Sequence, residues 1–175
     1  MAGAAAAKAA GAAQADAVPE RQRARNAIFM AVDGMSIGTL SLADLHSRRT
    51  LGRSLHWLKL LSREGVRRAL CYTSPLGGGV TDSAAASSAW STGILVNNEA
   101  VNWTPHGDQP RPLLVRAKER GIATGLVTTT RITHATPAGF IANVPHRDME
   151  RDIAEQMVVR GLDLAMGGGA KYFGG

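Results

Sequence analysis

Residues 111–166 read RPLLVRAKERGIATGLVTTTRITHATPAGFIANVPHRDMERDIAEQMVVRGLDLAM, and the pattern of this stretch decides the fold class. It contains two segments with a helical spacing of apolar residues, and each ends at a glycine, the usual residue after the C-terminus of a helix. A short apolar run follows each glycine and predicts a strand. The predicted helices span 111–120 and 147–160, and the predicted strands span 122–128 and 162–166. Strands that alternate with helices predict an α/β fold, with a mostly parallel sheet flanked by helices on both faces.

The same alternation extends towards the N-terminus. The apolar run 27–32 predicts a buried parallel strand, and residues 68–72 predict a short strand. Leucines at helical spacing between residues 40 and 61 predict helices that are interrupted at Gly52. The segment 82–90, which is rich in alanine and serine, predicts a further helix after a glycine-rich loop. These elements extend the predicted α/β pattern through the first half of the chain.

The composition limits the classes of protein that the chain can belong to. Its 175 residues suffice for one domain with a sizeable core, and 45% apolar with 19% charged residues exclude wholesale disorder. No apolar run approaches the roughly 18 residues that a membrane span needs. Cys71 is the only cysteine, which excludes an intrachain disulfide and a metal site built from several cysteines. The 5% of aromatic residues argues against a surface that stacks single-stranded nucleic acid.

The formal net charge of +6 has two interpretations. It indicates either an ordinary solvated basic surface or attraction of an anionic substrate. The basic residues form no continuous tract, so the charge alone does not indicate a nucleic-acid partner.

Residues 1–25 form an alanine-rich leader ahead of the predicted domain, residues 26–175. The leader has neither a strongly basic start nor a leucine-rich centre, so it differs from a standard signal peptide. It does contain Ala13-Gln14-Ala15, which has the small-x-small form of an export cleavage site. Two interpretations stay open, a flexible tail and the remnant of a clipped signal peptide.

Asp33 follows the first predicted strand directly and precedes Gly34. In open α/β sheets, functional residues gather at the carboxyl ends of the strands. Asp33 is therefore a candidate metal ligand. The alternative is an aspartate that opens a turn together with Gly34.

Ser83 lies in Thr81-Asp82-Ser83, at the start of the predicted helix 82–90. Any of these three residues can cap a helix, but only one of them occupies the cap position. A serine in the first turn lies beside free backbone N–H groups and the positive end of the helix dipole, which suits phosphate and a developing alkoxide. Ser83 is therefore a candidate nucleophile, and a metal ion is as plausible an activator as a general base.

The segment 128–137 ends a predicted strand and combines many hydroxyl side chains with one histidine. One interpretation is a polar pocket that contains His134 and Thr136. The other is a threonine-rich loop with His134 on the surface and Thr136 as the cap of a short helix, with Pro137 at its first position.

Several motifs in this order resemble the alkaline phosphatase family. They are Asp33-Gly34-Met35, Thr81-Asp82-Ser83-Ala84-Ala85, Ala89-Trp90-Ser91-Thr92-Gly93, Thr133-His134-Ala135-Thr136-Pro137-Ala138 and Met166-Gly167-Gly168-Gly169. The resemblance extends from about residue 26 to the C-terminus. It implies an alkaline-phosphatase-like fold and hydrolysis of phosphate monoesters with two Zn²⁺ ions and one Mg²⁺ ion.

The resemblance also implies roles for individual residues. Ser83 matches the nucleophile that forms a phosphoserine intermediate and contacts zinc, and Arg147 matches the arginine that clamps the substrate phosphate. Asp33 matches the carboxylate that bridges a zinc ion and the magnesium site, and Thr136 matches a magnesium ligand. His134 lies where the best-known bacterial member has an aspartate, so the identity of the third metal is an open question.

The resemblance covers less than a whole family member. None of the five histidines stands in an Asp-x-x-x-His or Asp-His arrangement like the zinc ligands of the family. We therefore expect residues 26–175 to be the N-terminal portion of an alkaline phosphatase domain, with an incomplete fold and no activity by themselves. The alternatives are a non-catalytic chain and a related sulfatase or phosphodiesterase, although Ser74-Pro75 lacks the sulfatase motif.

The resemblance implies partners and a location as well. It implies small phosphate monoesters as substrates, a homodimer for the complete enzyme, and a periplasmic or secreted protein. We expect neither a nucleic acid nor a membrane as a partner.

Overall fold

A computed structural model describes residues 24–174. The chain divides into two compact units, Met1–Val32 and Asp33–Gly175, and only residues 24–32 of the first are described. Most of the predicted leader, residues 1–23, lies outside the described residues. The elements of the second unit are α1 (Ile37–Leu51), α2 (His56–Leu61), α3 (Ser83–Thr92), α4 (Leu113–Lys118), β1 (Gly125–Arg131), α5 (Ala135–Ala138), α6 (Glu150–Val159), β2 (Leu164–Gly168) and a 3₁₀ turn at Ala170–Tyr172.

Strands β1 and β2 pair in parallel, with Gly125 opposite Leu164 and Val127 opposite Met166. Helices flank this sheet, and the prediction of an α/β fold with a parallel sheet is confirmed. Both strands begin two or three residues later than predicted, because the first apolar residue after each glycine closes the preceding helix. The amide of Ile122 donates to the carbonyl of Ala117, at 3.1 Å, and the amide of Leu162 donates to that of Met157, at 3.2 Å.

Two predicted strands do not form. Residues 27–32 and 68–72 contain no strand, and their apolar side chains are exposed, with Ile28 88% and Leu70 94% accessible. An apolar run becomes a strand only where a neighbouring strand accepts its backbone hydrogen bonds. Within residues 24–174, the sheet consists of β1 and β2 alone, which pair with each other.

Helix α1 ends at Gly52, as the sequence predicts. Gly52 has a left-handed backbone (φ 63°), and its amide donates to the carbonyl of Arg48. The turn that follows is held by Asp44, a buried residue of α1 that accepts hydrogen bonds from Arg48, Ser54 and the backbone of Leu55 at 2.6–2.9 Å. The bond from Ser54, followed by those from Leu55 and Arg48, lowers the pKa of Asp44 to about 2. Asp44 is therefore a charged link between α1 and the start of α2.

The core lies where α3, α5 and α6 pack together. Its buried apolar residues include Ala84, Ala138, Ile141, Ile153 and Met157. Seven of the ten residues of α3 are buried, and all seven are alanine or serine. Such small side chains let other backbone segments approach this helix closely.

No helix of the described segment, 24–174, is long and apolar enough to cross a membrane.

Candidate active site

Three residues that are far apart in the sequence meet at one carboxylate oxygen. Oδ2 of Asp33 accepts a hydrogen bond from Oγ of Ser83 at 2.8 Å and one from Oγ1 of Thr136 at 2.9 Å. Ser83 and Thr136 follow Asp33 in the chain by 50 and 103 residues. The structure therefore brings together three of the predicted site residues, at the N-terminal ends of α3 and α5.

Ser83 is the first residue of α3 because Asp82 caps the helix. Asp82 has an extended backbone, and its Oδ1 accepts a hydrogen bond of 2.8 Å from the amide of Ala85. Among the three residues that could cap this helix, Asp82 occupies the position. The Ser83 hydroxyl consequently lies at the end of the helix where the dipole favours negative charge.

The second oxygen of Asp82 binds Arg147, another predicted site residue. Nη1 of Arg147 donates to Oδ2 of Asp82 at 2.9 Å, and each side chain is 22% accessible. The amide of Glu99 donates to the same oxygen at 3.0 Å. One carboxylate therefore starts the helix that carries Ser83 and anchors the arginine predicted to bind phosphate. The sequence analysis missed this role of Asp82, although three capping residues in a row exceeded what a cap requires.

His134 contacts Arg147 on the other side of the guanidinium group. Its Nε2 lies 3.0 Å from Nη2 of Arg147. Because a guanidinium group only donates, Nε2 must accept, so the imidazole is neutral and its proton is on Nδ1. Burial lowers the pKa of His134, and the positive charges of Arg147 and Arg131 lower it further. Nδ1 is itself buried, with no hydrogen-bond partner among the described residues.

Two details of the alternative interpretation of this segment are wrong. His134 is not on the surface, since it is half-buried against Arg147. Thr136 is not a helix cap, because α5 begins one residue earlier, at Ala135. Its hydroxyl binds Asp33 instead. The segment therefore places Thr136 and His134 beside the polar side chains of Asp33 and Arg147.

Helices α3 and α5, which carry Ser83 and Thr136, pack closely against each other. A Cβ atom added to Gly139, directly after α5, would lie 2.1 Å from Oγ of Ser87 in α3. The same Ser87 hydroxyl donates to the carbonyl of Ala135 at 3.0 Å. The buried side chain of Asn102 donates to the carbonyls of Gly139 and Ala142 at 2.7 and 2.8 Å. This close contact fixes the position of Thr136 relative to Ser83.

The electrostatic setting keeps Asp33 ionised. Partial desolvation raises the pKa of Asp33, but the hydrogen bonds from Ser83 and Thr136 outweigh that effect. The nearby positive charge of Arg147 lowers it further, so the pKa lies below its usual value. Asp33 is therefore a charged hydrogen-bond acceptor and a weak base.

The oxygen atoms of this cluster fit a hard cation. Two hydroxyl groups lie within hydrogen-bond distance of one carboxylate oxygen, and oxygen ligands are those that Mg²⁺ prefers. A catalytic zinc site normally has three protein ligands from histidine, cysteine or a carboxylate. Residues 24–174 contain no cluster of three or more such side chains that could hold a metal. The described part of the chain therefore offers an oxygen portion of a cation site and not a full zinc site.

Comparison with known proteins identifies relatives of this chain. The alkaline phosphatase family model matches residues 24–175. The repressible alkaline phosphatase of Saccharomyces cerevisiae is 35% identical over 154 residues, which is 85% of this chain and 27% of that protein. The streptomycin-6-phosphate phosphatase of Streptomyces griseus is 35% identical over 172 residues, 86% of this chain and 37% of that protein. The chain thus spans about a third of the length of these curated relatives.

Solved structures agree with the sequence relatives. The crystal structure of Thermus thermophilus alkaline phosphatase matches 81% of this chain and 29% of its own, with a TM-score of 0.75 and 40% identity. The alkaline phosphatase of the Antarctic bacterium TAB5 matches 75% of this chain and 38% of its own, with a TM-score of 0.64 and 32% identity. Two mutants of the TAB5 enzyme, in which a histidine is replaced by glutamate or aspartate, have Mg bound in the M3 site.

Proposed function

This chain belongs to the alkaline phosphatase family, and we propose that it supplies the nucleophile and the phosphate clamp of a metal-dependent phosphomonoester hydrolase. The observation that carries this proposal is the role of Asp82, which caps the helix of Ser83 with one oxygen and holds Arg147 with the other. A nucleophilic hydroxyl and a phosphate-binding cation are thereby fixed by a single side chain.

Arg147 is arranged to bind a phosphate group. A guanidinium group has five N–H donors. The described residues use two of them, on Asp82 and on His134. The remaining donors can bind two phosphate oxygens at once, which is the geometry that distinguishes arginine from lysine. We propose that Arg147 holds the phosphate in line with Oγ of Ser83.

Ser83 performs the first chemical step in this proposal. Its Oγ attacks phosphorus, an O–P bond forms, and the bond from phosphorus to the leaving alcohol breaks, so that a phosphoserine and a free alcohol result once the leaving oxygen takes a proton. Attack of water on the phosphoserine then releases inorganic phosphate and restores the hydroxyl. The positive end of α3 stabilises the negative charge that develops on Oγ.

In the described segment, 24–174, the Ser83 hydroxyl donates to Asp33, which is a weak base. The lowered pKa of Asp33 makes this carboxylate a poor general base, so its hydrogen bond orients Oγ and does not deprotonate it. Asp33 and Ser83 would help to hold one divalent cation through oxygen, and Asp33 and Thr136 would help to hold a neighbouring one. His134 would join the second site once its Nε2 is released from Arg147. When bound, the cations, which we propose to be two Zn²⁺ and one Mg²⁺, lower the pKa of the hydroxyl and neutralise phosphate charge.

We extend the proposal to substrates, assembly and location. Small phosphate monoesters fit a clamp with one arginine, and the Streptomyces griseus relative is named for a phosphate ester of this kind, streptomycin 6-phosphate. We propose a homodimer that binds neither nucleic acid nor membrane, in the periplasm or outside the cell, on the basis of the family resemblance and of Ala13-Gln14-Ala15. We also propose that the 175-residue chain alone is inactive, because residues 24–174 lack a full zinc site.

The test is to trap the covalent intermediate. Full-length protein is mixed with ³²P-labelled phosphate, quenched in acid and digested, and we expect the label on the peptide that contains Ser83. The label should disappear in Ser83→Ala and persist in Ser62→Ala, which alters an exposed serine whose hydroxyl bonds only to the backbone of its own helix. An active enzyme labelled on another residue would refute the role of Ser83.

A further inference from the structure

Glu99 has a backbone conformation that its side chain disfavours. Its φ is +71°, in the left-handed region that favours glycine, and Asn102 is the other non-glycine residue of segment 24–174 with a positive φ. Such a conformation is strained and persists only where surrounding contacts impose it. The contacts of Glu99 therefore indicate what the strained turn is for.

The backbone of Glu99 completes a ring of hydrogen bonds with Asp82 and Arg147, the proposed phosphate clamp. Its amide donates to Oδ2 of Asp82 at 3.0 Å, and its carbonyl accepts from the amide of Arg147 at 2.7 Å. Nη1 of Arg147 completes the ring by donating to the same oxygen of Asp82 at 2.9 Å. Both members of the ion pair between Asp82 and Arg147 therefore bind the backbone of Glu99. Asp82 binds its N–H group, and Arg147 binds its carbonyl.

The side chain of Glu99 adds a third link to the clamp through His146. Nδ1 of His146 accepts from the amide of Asp148 at 3.2 Å, which leaves the proton of the neutral ring on Nε2. Nε2 then donates to Oε2 of Glu99 at 3.1 Å. Since His146 directly precedes Arg147, this bond fixes the loop that carries the clamp. Neither side chain is in the core, with 63% of Glu99 and 45% of His146 accessible.

We propose that Glu99 is a positioning residue for Arg147: its left-handed backbone joins Asp82 to Arg147, and its carboxylate, through His146, holds the loop of Arg147 at the distance that phosphate binding requires. This inference rests on the proposed function, because it assumes that Arg147 binds phosphate. Glu99 itself need not touch the substrate.

The expected signature is a change in binding and not in chemistry. If Glu99 acts through Arg147, removal of the Glu99 side chain weakens the binding of substrate and of inorganic phosphate to a similar degree. The chemical step itself is largely preserved, so KM and the phosphate inhibition constant rise more than kcat falls. A merely structural role of the turn would instead lower stability and leave phosphate inhibition unchanged.

The experiment compares three variants of the full-length protein by their inhibition constants for inorganic phosphate. Glu99→Ala should raise the inhibition constant for phosphate roughly tenfold, which is within the range of coupling between contacting residues. Glu99→Gln should stay within about twofold of wild type, because its amide oxygen still accepts the His146 proton. Glu155→Ala, which removes an exposed carboxylate of α6, should have no effect. Equal inhibition constants for Glu99→Ala and wild type would overturn the proposal.

Two further comparisons distinguish a failure of this inference from a failure of the proposed function. In Arg147→Ala, the added Glu99→Ala substitution should cause no further loss, and an undiminished effect would show that Glu99 acts independently of Arg147. His146→Ala should reproduce the effect of Glu99→Ala, and the effects of the two substitutions should not add.

If Arg147→Ala alone leaves phosphate inhibition unchanged, the clamp assignment fails and the role of Glu99 fails with it. If Arg147→Ala weakens phosphate and Glu99→Ala does not, only the present inference fails.

Discussion

Oγ of Ser83 donates a hydrogen bond of 2.8 Å to Oδ2 of Asp33, which Thr136 also binds, so a carboxylate that precedes α1 orients the first residue of α3. This contact helps to lower the pKa of Asp33, so the carboxylate is a weaker base than an ordinary aspartate. In the proposed mechanism, charge near the hydroxyl therefore activates it.

Asp82→Asn should separate the two roles of Asp82. Asparagine caps helices about as well as aspartate, so we expect a melting temperature close to that of wild type. It lacks the negative charge that holds Arg147, so the inhibition constant for inorganic phosphate should rise. Asp82→Ala should show the same weakening together with a loss of roughly 1 kcal/mol from the missing cap. Unchanged phosphate inhibition in both variants would contradict the anchoring of Arg147.

His134→Asp should shift the metal preference of the site. An aspartate offers a hard oxygen ligand where the neutral imidazole offers nitrogen, so affinity for Mg²⁺ should rise relative to Zn²⁺ or Co²⁺. Metal-depleted full-length protein is titrated with each ion while activity and heat of binding are followed. His106→Asp is the control, since His106 is in an exposed loop. Coinciding Mg²⁺ titrations of wild type and His134→Asp would show that His134 is not a ligand.

Gly139→Ala should destabilise the protein through the contact between α3 and α5. The new methyl group would lie 2.1 Å from Oγ of Ser87, so the helices must separate, at a cost of about 1–3 kcal/mol. The matched control is Gly38→Ala, inside α1, where the nearest atom is 3.8 Å away. That substitution should stabilise the helix by up to roughly 1 kcal/mol. Chemical denaturation of both variants gives the comparison, and equal stabilities would contradict the tight packing.

Asp44→Asn should lower stability in a pH-dependent way. The folded pKa of Asp44 is about 2, below the value of about 4 in unfolded chains, so the folded state binds fewer protons and gains stability as pH rises between these values. The contribution is complete above about pH 4 and is lost as pH falls towards 2. The difference in melting temperature between wild type and Asp44→Asn should therefore shrink over this range. Glu155→Gln, at an exposed position, should show no such trend, and a constant difference for Asp44→Asn would refute the assignment.

Local patterns predicted the elements whose start and end signals lie close together in the sequence. The helix of Ser83, the end of α1 at Gly52 and the two strands that follow helices all carry their signals within a few residues. The strand expected at 27–32 failed because strand formation depends on a distant neighbour, which an apolar run does not reveal.

The same difference separates the predicted site residues from those that were missed. The predicted site residues came from motifs. Hydrogen bonds join them in two sets, Asp33 with Ser83 and Thr136, and Arg147 with His134. The second bond of Asp82 and the ring through Glu99 link residues between 17 and 65 positions apart, and no motif of the sequence indicates them. A glutamate in a left-handed conformation is especially hard to foresee, because the sequence signal for that conformation is glycine.

The alanine and serine content of α3 has a consequence for temperature. Burying alanine removes no rotamer freedom and burying serine removes little, so ordering the seven buried side chains of this helix costs little conformational entropy. The side-chain part of the entropic cost of folding, which grows with temperature, is therefore small for the element that carries Ser83. On warming, we expect α3 to keep its alignment with Asp33 while the leucine- and arginine-rich helix α1 is already fraying.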